Sequence, residues 1–218
     1  MTSNQEEYLK IIYEKGGFGK RIPNKIIAEE LSISPASVTE MLSRLSSDGL
    51  INYKPYGGSK LTEEGVKACI QIIKSHKLWE VFLMRHLNYT WREAHEDAHL
   101  LEHISCERLV SRLDLFLDFP KTCPHGGYIP RENIEDTEVF LLKTLNSLEV
   151  GDIAVISRIQ EDGVLLDYAT RCGIKLNTEI KIISKEEYEG AINFLQEDKQ
   201  LSISFKASTQ ILCKIVEH

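Results

Sequence analysis

The sequence predicts a mainly α-helical protein with a β domain at its C-terminal end. Its N-terminal part orders short amphipathic segments and a hairpin as a winged helix-turn-helix domain does. Its middle part carries histidines and acids on one face of a helix, and from Leu145 the pattern changes to short alternating strands. We therefore expect a winged helix-turn-helix domain, a helical dimerisation and metal-binding domain, a linker and an SH3-like β-barrel, over residues 1–72, 73–130, 131–144 and 145–218.

Composition limits the classes of protein that need to be considered. The chain has 218 residues with 42% apolar content, which is enough for several small hydrophobic cores. No apolar run reaches the ~20 residues that a membrane span needs, and no signal-peptide pattern opens the chain. The five cysteines are odd in number and scattered, which favours free thiols in a reducing cytoplasm. We expect a cytoplasmic protein without a membrane partner.

The charge of the chain is distributed unevenly. A net charge of −7 argues against a protein that binds nucleic acid over its whole surface. Residues 1–75, however, hold ten Lys/Arg against nine Asp/Glu, a net of +1, while the remainder has a net of −8. Any DNA-binding surface is therefore expected at the N-terminal end.

Residues 4–49 have the pattern of a helix followed by a helix-turn-helix. The first helix is predicted over residues 4–15, with Asn4 as its N-cap and Glu7 at the capping-box position, so that Glu7 is either a capping acid or an available carboxylate. Helices over 23–31 and 35–45 follow, and the second starts at Pro35 after a Ser34 cap.

The second of these helices has the composition of a recognition helix. Its outward N-terminal residues are small and hydroxylic, which lets the helix enter a major groove. Residues 50–62 form a predicted hairpin, or wing, whose lysines can reach phosphates. The candidate DNA contacts are Ser34, Pro35, Ala36, Ser37, Thr39 and Glu40 on the helix, and Lys54 and Lys60 on the wing. A winged helix that binds protein is the alternative.

A helix predicted over residues 91–104 carries a candidate metal site. At 3.6 residues per turn, His95, His99, Glu102 and His103 share one face. Imidazole and carboxylate groups at this spacing can bind one divalent transition-metal ion without bending the backbone. On the preceding long helix His76 and Glu80 are also one turn apart, a second ligand pair.

Two other interpretations of the same helix remain. His95-Glu96-x-x-His99 matches the zinc metalloprotease motif, in which the histidines bind zinc and Glu96 is the general base. A five-residue match is common by chance, and Glu102 and His103 exceed what that motif requires. The other interpretation is an ordinary solvated polar helix face.

The chain after residue 104 offers further apolar surface and a loop with metal-binding side chains. A helix predicted over 107–119 and the end of the long helix carry more apolar surface than they can bury together, which favours a homodimer. In the loop 119–130, Cys123 and His125 are one residue apart, although a free cysteine beside a surface histidine is the simpler interpretation. Strands are predicted over 151–159, 179–184, 202–205 and 211–216.

Several motifs together resemble the diphtheria-toxin-repressor and manganese-transport-regulator family of metal-dependent transcriptional repressors. The resemblance covers the whole chain, and the loop and C-terminal segments are similar to the three-domain manganese-responsive branch with its FeoA-like barrel. The motifs are Glu-Tyr-Leu-Lys-x-Ile-Tyr from residue 7, Ser-Pro-Ala-Ser-Val-Thr-Glu-Met from residue 34, Leu-Thr-Glu-Glu-Gly from residue 61, His76-x-x-x-Glu80, His95 to Glu102-His103, and Phe-Pro-Lys-Thr-Cys-Pro-His-Gly-Gly from residue 119.

The resemblance implies two metal sites. The implied primary ligands are Glu7, His76, His99, Glu102 and His103, and the implied secondary ligands are Glu80, Cys123 and His125 with an acid from the barrel, for which Glu161 matches better than Asp162. His95 and Glu80 match a neighbouring site of the iron-responsive branch. Position 99 is Cys in iron-responsive members and commonly Glu in manganese-responsive ones, whereas here it is His. Mn²⁺ or Fe²⁺ is therefore the expected physiological metal, with Zn²⁺ and Co²⁺ binding in vitro.

The function implied by the resemblance is that of a metal-activated, dimeric transcriptional repressor. It is expected to bind palindromic double-stranded operator DNA and to control metal-uptake and homeostasis genes. It is not expected to be an enzyme, because a protease would leave the winged helix and the barrel without a role.

Overall fold

The computed structural model describes residues 1–131 and 142–217. The predicted linker over 131–144 falls largely on residues 132–141, which lie outside the described residues. Two compact units are present, Met1–His76 with Leu100–Val110, and Lys77–His99 with Ser111–His218. Within the described ranges, no helix combines the length and apolarity that a membrane crossing requires.

The first unit contains the predicted winged helix-turn-helix. Its helices are α1 (Ser3–Glu14), α2 (Asn24–Leu31) and α3 (Pro35–Ser47), followed by strands β1 (Ile51–Lys54) and β2 (Gly58–Leu61). The Ser34 side chain accepts a hydrogen bond from the Ser37 backbone N–H, so α3 starts where the sequence predicts. Side chains of all three helices share one core, in which Leu9, Ile12, Ile27, Leu42 and Leu45 are fully buried.

The predicted cap of α1 is wrong. Thr2 is the N-cap, and it forms a capping box with Gln5, while Asn4 lies inside the helix. Thr2 competes successfully because a hydroxyl at the N-cap and an amide at N3 satisfy each other's backbone donors. Because the helix is capped two residues earlier than predicted, the Glu7 carboxylate is not used in capping.

The wing is a two-stranded antiparallel hairpin in which Lys54 lies opposite Gly58 and Asn52 opposite Lys60. A Cβ on Gly58 would lie 2.5 Å from the carbonyl oxygen of Ile22, and its φ of +79° is also in the region that favours glycine. The close approach lets Ile22 and Ser59 pair as an isolated β-bridge. The wing is thereby attached to the segment that precedes α2.

Three helices follow the wing, namely α4 (Glu63–Leu87), α5 (Trp91–Glu102) and α6 (Glu107–Phe116). The latter two end two or three residues before the predicted bounds of 104 and 119. At α6 the reason is local, because Asp118 and Phe119 have φ values of +59° and +50°. Both units expose large apolar side chains of these helices and of the α5–α6 connection: Leu100, Ile104 and Leu109 in the first, and Leu87, Leu115 and Phe116 in the second.

The C-terminal domain is a six-stranded antiparallel sheet with the strand order β3-β8-β4-β5-β6-β7. The strands are β3 (Lys143–Thr144), β4 (Ile153–Ile159), β5 (Glu179–Lys185), β6 (Ile192–Gln196), β7 (Lys199–Ile203) and β8 (Ile211–Glu217), with helices α7 (Gly163–Arg171) and α8 (Phe205–Ser208). The predicted fold class, mainly α-helical with a C-terminal β domain, is confirmed. Strand β6 and helix α7 were not predicted, and the predicted strand 202–205 is wrong in its bounds, because Ser204 caps α8.

The loop before the sheet packs on β4. The backbone N–H of Ile159 donates to the carbonyl oxygen of His125 at 2.9 Å. A Cβ on Gly126 would lie 1.9 Å from the carbonyl oxygen of Ser157, so only glycine permits this approach. The loop that carries Cys123 and His125 is thus fixed against the strand that leads to Glu161.

Candidate metal centres and DNA-binding surface

The first cluster of metal-binding side chains lies in the first unit, on α1, α4 and the end of α5. Glu102 is 4% exposed, and one of its oxygens is 2.6 Å from Nδ1 of His76. Nε2 of His103 is 2.8 Å from a carboxylate oxygen of Glu7 and 3.5 Å from one of Glu102. Four of the five implied primary ligands, Glu7, His76, Glu102 and His103, are therefore neighbours.

The position of His99 follows from helix spacing alone. It precedes Glu102 by three residues on α5 and precedes His103, the first residue after α5, by four, so helical spacing predicts one side for the three side chains. His99 falls in the sequence range of the second compact unit. Its role as a primary ligand stays a prediction.

Glu6 is a residue of this cluster that the sequence analysis missed. Nδ1 of His103 lies 2.6 Å from a Glu6 carboxylate oxygen and donates its proton there. In the neutral imidazole with its proton on Nδ1, the lone pair of Nε2 faces Glu7 and Glu102, an arrangement that a cation stabilises. Two adjacent acids early in a helix, Glu6 and Glu7, were the available sequence signal.

Lys10 is a second residue that was missed. Its Nζ lies 3.0 Å from one oxygen of Glu102 and 3.2 Å from the other. Burial lowers the pKa of Lys10, but the charge and hydrogen bond of Glu102 outweigh burial and raise it above its ordinary value. The ammonium therefore stays charged and partly neutralises the buried carboxylate.

The second cluster lies within the second unit. Glu80 on α4, Cys123 and His125 on the loop, and Glu161 after β4 offer donor atoms within 4.8 Å of one another. Glu80 and His125 are fully buried, with Glu80 Oε1 3.1 Å from His125 Nδ1. Cys123 Sγ is 3.6 Å from Glu161 Oε1 and 4.0 Å from His125 Nδ1. Ligands at about 2.0–2.3 Å from one tetrahedral ion are separated by roughly 3.3–3.8 Å. The Cys123–Glu161 distance falls in this range, and the Glu80–His125 and Cys123–His125 distances lie close to it.

The hydrogen bonds of His125 also fit metal binding. Its Nε2 lies 3.3 Å from the carbonyl oxygen of Trp91, which can only accept, so Nε2 carries a proton; in the neutral imidazole the Nδ1 lone pair then faces Glu80. A lone pair and a carboxylate at this distance repel each other unless a cation lies between them. Burial raises the pKa of the Cys123 thiol well above its usual value, although the Lys77 ammonium opposes that rise.

His95 and Asp162 take different roles around this cluster. Nδ1 of His95 is 3.1 Å from the same Glu80 oxygen, so His95 adjoins the second cluster rather than the first. The Asp162 side chain accepts a hydrogen bond from Leu165 N–H and caps α7. Glu161, not Asp162, is the barrel acid that contacts Cys123.

The candidate DNA contacts of α3 are all exposed: Ser34, Pro35, Ala36, Ser37, Thr39 and Glu40. Thr39 donates to the Pro35 carbonyl oxygen and accepts from Asn24, and Glu40 pairs with Arg44 at 2.5 Å. On the wing, Lys54 is exposed and Lys60 is half-buried within β2, away from the hairpin tip.

Arg21 supports the wing and was not found from the sequence. Its guanidinium donates to the carbonyl oxygens of Asn52 at 2.7 Å and Gly58 at 3.1 Å, one on each strand. No spacing rule connects Arg21 to residues more than thirty positions away, so only the fold reveals this role.

A winged helix-turn-helix and buried clusters of carboxylate, imidazole and thiol groups define a metal-responsive DNA-binding protein. The chain belongs to the iron-dependent repressor family, whose members are iron- or manganese-dependent transcriptional repressors and not enzymes. Three family descriptions match it: the iron-dependent repressor N-terminal DNA-binding domain over residues 1–59, the iron-dependent repressor metal-binding and dimerisation domain over 62–131, and the FeoA domain over 143–215.

Individual relatives agree with the family assignment. An uncharacterised helix-turn-helix transcriptional regulator of Methanocaldococcus jannaschii is 34% identical over 54% of this chain and 95% of its own length. The solved structure of the manganese regulator SloR is 36% identical, with a TM-score of 0.76 over 99% of this chain and all of that one. A manganese-dependent transcriptional repressor in complex with manganese is 27% identical, with a TM-score of 0.83 over 97% of this chain and all of that one.

These findings give no support to the metalloprotease interpretation of His95, Glu96 and His99. In the structure Glu96 is exposed and pairs with Arg92 at 2.6 Å, while His95 contacts Glu80. A general base needs to lie beside the metal-bound water, and Glu96 is instead engaged at the surface.

Proposed function

We propose that this chain is a metal-activated repressor that binds palindromic operator DNA as a homodimer. Mn²⁺ or Fe²⁺ is the proposed activator, with Zn²⁺ and Co²⁺ binding in vitro, and metal-uptake and homeostasis genes are the proposed targets. The observation that carries the proposal is the 2.8 Å approach of His103 on the α5–α6 connection to Glu7 on α1. A repressor acts on the chromosome, so we propose that the protein works in the cytoplasm.

The mechanism rests on how Glu7 is connected to the DNA-binding surface. Glu7 belongs to α1, whose Tyr8, Leu9 and Ile12 share a core with Val38 and Leu42 of α3. Close-packed cores transmit displacement, so a restraint on α1 also restrains the recognition helix. A bound divalent ion supplies positive charge between the Glu7 and Glu102 carboxylates, which otherwise repel each other.

The other residues of the first cluster prepare this restraint. Glu6 orients the His103 imidazole, while Lys10 neutralises part of the charge on Glu102. Glu7, His76, His99, Glu102 and His103 are the proposed ligands. Carboxylate and imidazole donors without a thiolate suit Mn²⁺ and Fe²⁺ when these metals are available.

Dimerisation supplies the second recognition helix. Half-sites of a palindromic operator are ~34 Å apart or a multiple of that distance, so a two-fold dimer must hold its recognition helices at that spacing. The exposed apolar side chains of α4, α5 and α6, such as Leu87, Leu100 and Phe116, support an interface between copies.

The second cluster is proposed as a separate metal site with a structural role. Glu80, Cys123, His125 and Glu161 are its proposed ligands, with His95 beside them. These residues come from a helix, a loop and the edge of the barrel, so an ion held by all four fixes three segments of the second unit to one another.

Operator binding with and without metal tests the proposed function. In a mobility-shift titration with promoter DNA of metal-uptake genes, we expect Mn²⁺, or Fe²⁺ under anaerobic conditions, to strengthen binding by about 100-fold or more over EDTA. Equal affinity with metal and with EDTA would contradict metal activation. If metal strengthened binding to random DNA as much as to promoter DNA, that result would contradict operator recognition.

Lys54→Ala tests the placement of the wing. Lys54 is exposed at the end of β1, where its ammonium can reach a phosphate. Loss of one phosphate contact should weaken binding to all sequences alike and reduce the slope of log affinity against log salt by about one. Lys199→Ala, at an exposed lysine of the barrel, is the matched control and should leave the slope unchanged. A change of sequence preference in Lys54→Ala would mean that the wing reads bases.

A further inference from the structure

Lys77 is a buried cation inside the second cluster. Its residue exposure is 6%, and its Nζ lies 2.5 Å from Glu161 Oε1 and 3.9 Å from Cys123 Sγ. A lysine nitrogen at 2.5 Å from a carboxylate oxygen forms an ion pair. The side chain is therefore an ammonium in contact with two of the four proposed ligands.

The surrounding backbone is shaped to admit this ammonium. A Cβ on Gly127 would lie 2.3 Å from Lys77 Nζ, 2.7 Å from Glu161 Oε1 and 3.3 Å from Cys123 Sγ. The ion pair thus occupies the space beside Gly127 where a side chain would otherwise be. Lys77 is not a surface lysine that happens to reach inward.

We infer that Lys77 is a resident cation of the second cluster, which holds the cluster together without metal and weakens its affinity for metal. The inference rests on the proposed metal site at Glu80, Cys123, His125 and Glu161. In the absence of an ion, Lys77 supplies positive charge to the half-buried Glu161, which it contacts, and near the fully buried Glu80.

The effect on metal affinity follows from charge. Binding of a divalent ion adds two positive charges to the cluster. If the Cys123 thiol then releases its proton, the cluster still gains one positive charge in total. A fixed ammonium in contact with the ligands opposes any gain of positive charge there. It also competes directly for Glu161. Lys77 therefore raises the metal concentration at which the second site fills.

Lys77→Met tests both parts of the inference, because methionine keeps the length and apolar stem but removes the charge. In EDTA, the melting temperature of the full-length variant should fall by about 5 °C or more, because Glu161 loses its buried ion-pair partner. By calorimetric titration with Mn²⁺ or Zn²⁺, the second site should bind at least about tenfold more tightly than in the wild type. Lys121→Met, at an exposed lysine of the same unit, should change neither quantity.

Lys77→Gln separates charge from hydrogen bonding. Glutamine can still donate to Glu161, so this variant should lose less stability in EDTA than Lys77→Met while gaining similar metal affinity. An unchanged melting temperature in Lys77→Met, or weaker metal binding in both variants, would overturn the inference. If Lys77→Met folds only when metal is present, that outcome supports it.

The same experiment distinguishes the inference from the proposed metal site. Failure of the wild type and of both variants to bind a second ion would refute the metal site, whatever Lys77 does. The melting temperatures in EDTA then still decide whether Lys77 holds the cluster together, because those measurements involve no metal.

Discussion

Replacement of His103 by alanine should abolish metal-dependent operator binding. The imidazole is the group that approaches Glu7 on α1 while lying 3.5 Å from Glu102. Without it, the ligand set shared by α1 and the end of α5 lacks the imidazole that approaches both Glu7 and Glu102, so the restraint on the recognition helix weakens. Removal of a ligand should cost more than the 10–100-fold that a change in an outer-shell partner typically costs, so we expect a loss of about 100-fold or more in Mn²⁺-dependent affinity.

The matched control is Glu96→Gln, on α5 about two helical turns before His103. Glu96 is exposed and forms a surface ion pair with Arg92 at 2.6 Å. Its substitution should leave operator affinity within about twofold of the wild type, since surface ion pairs contribute little. Mobility shifts in Mn²⁺ and in EDTA measure the effect, and circular dichroism confirms that each variant is folded. Retention of the metal response in His103→Ala would exclude His103 as a ligand.

Replacement of Cys123 by alanine should remove the second ion of each protomer and leave the primary site intact. The thiol is 3% exposed and lies within 4.0 Å of both His125 and Glu161 donor atoms. Alanine offers no ligand atom, and three remaining donors beside a buried ammonium hold an ion weakly. We expect second-site affinity to fall by about 100-fold or more.

The control for the cavity that this truncation leaves is Cys213→Ala. Cys213 is also a buried thiol of the second unit, but it packs in the apolar core of the sheet. Both variants should lose similar stability in EDTA, whereas only Cys123→Ala should lose metal. Equilibrium dialysis gives the stoichiometry, and operator binding reports the primary site. Unchanged stoichiometry in Cys123→Ala would refute the second site.

The local elements of this protein were largely predictable from sequence. Pro35 after a serine cap, and apolar residues at helical spacing in α1 to α3, are local signals that the chain carries without tertiary help. The resemblance of the motifs gave the family, and the comparisons confirmed it. The missed elements, β3, β6, α7 and α8, lie in the C-terminal domain, where short segments depend on pairing with distant strands.

The sequence also determined which residue types could bind metal, but not how they group. Helix spacing placed His95 with His99 and His103, yet the fold directs His95 to Glu80. Spacing along one helix fixes only a direction around its axis, and the distance to a partner depends on what packs against that face. The loop that carries Cys123 and His125 had no periodicity, so its position against β4 could not be inferred.

Only the tertiary structure revealed the charges that balance these clusters. Lys10 and Lys77 are ordinary lysines of amphipathic helices by sequence, and Glu6 is one of two adjacent acids. In the fold, Lys10 reaches Glu102 over 92 positions, Lys77 reaches Glu161 over 84, and Glu6 reaches His103 over 97. A buried carboxylate must find a cation wherever the fold brings one, and no local pattern encodes contacts at such separations. The amino-acid sequence thus determined the helices and the ligand types, while long-range packing decided which charges surround them.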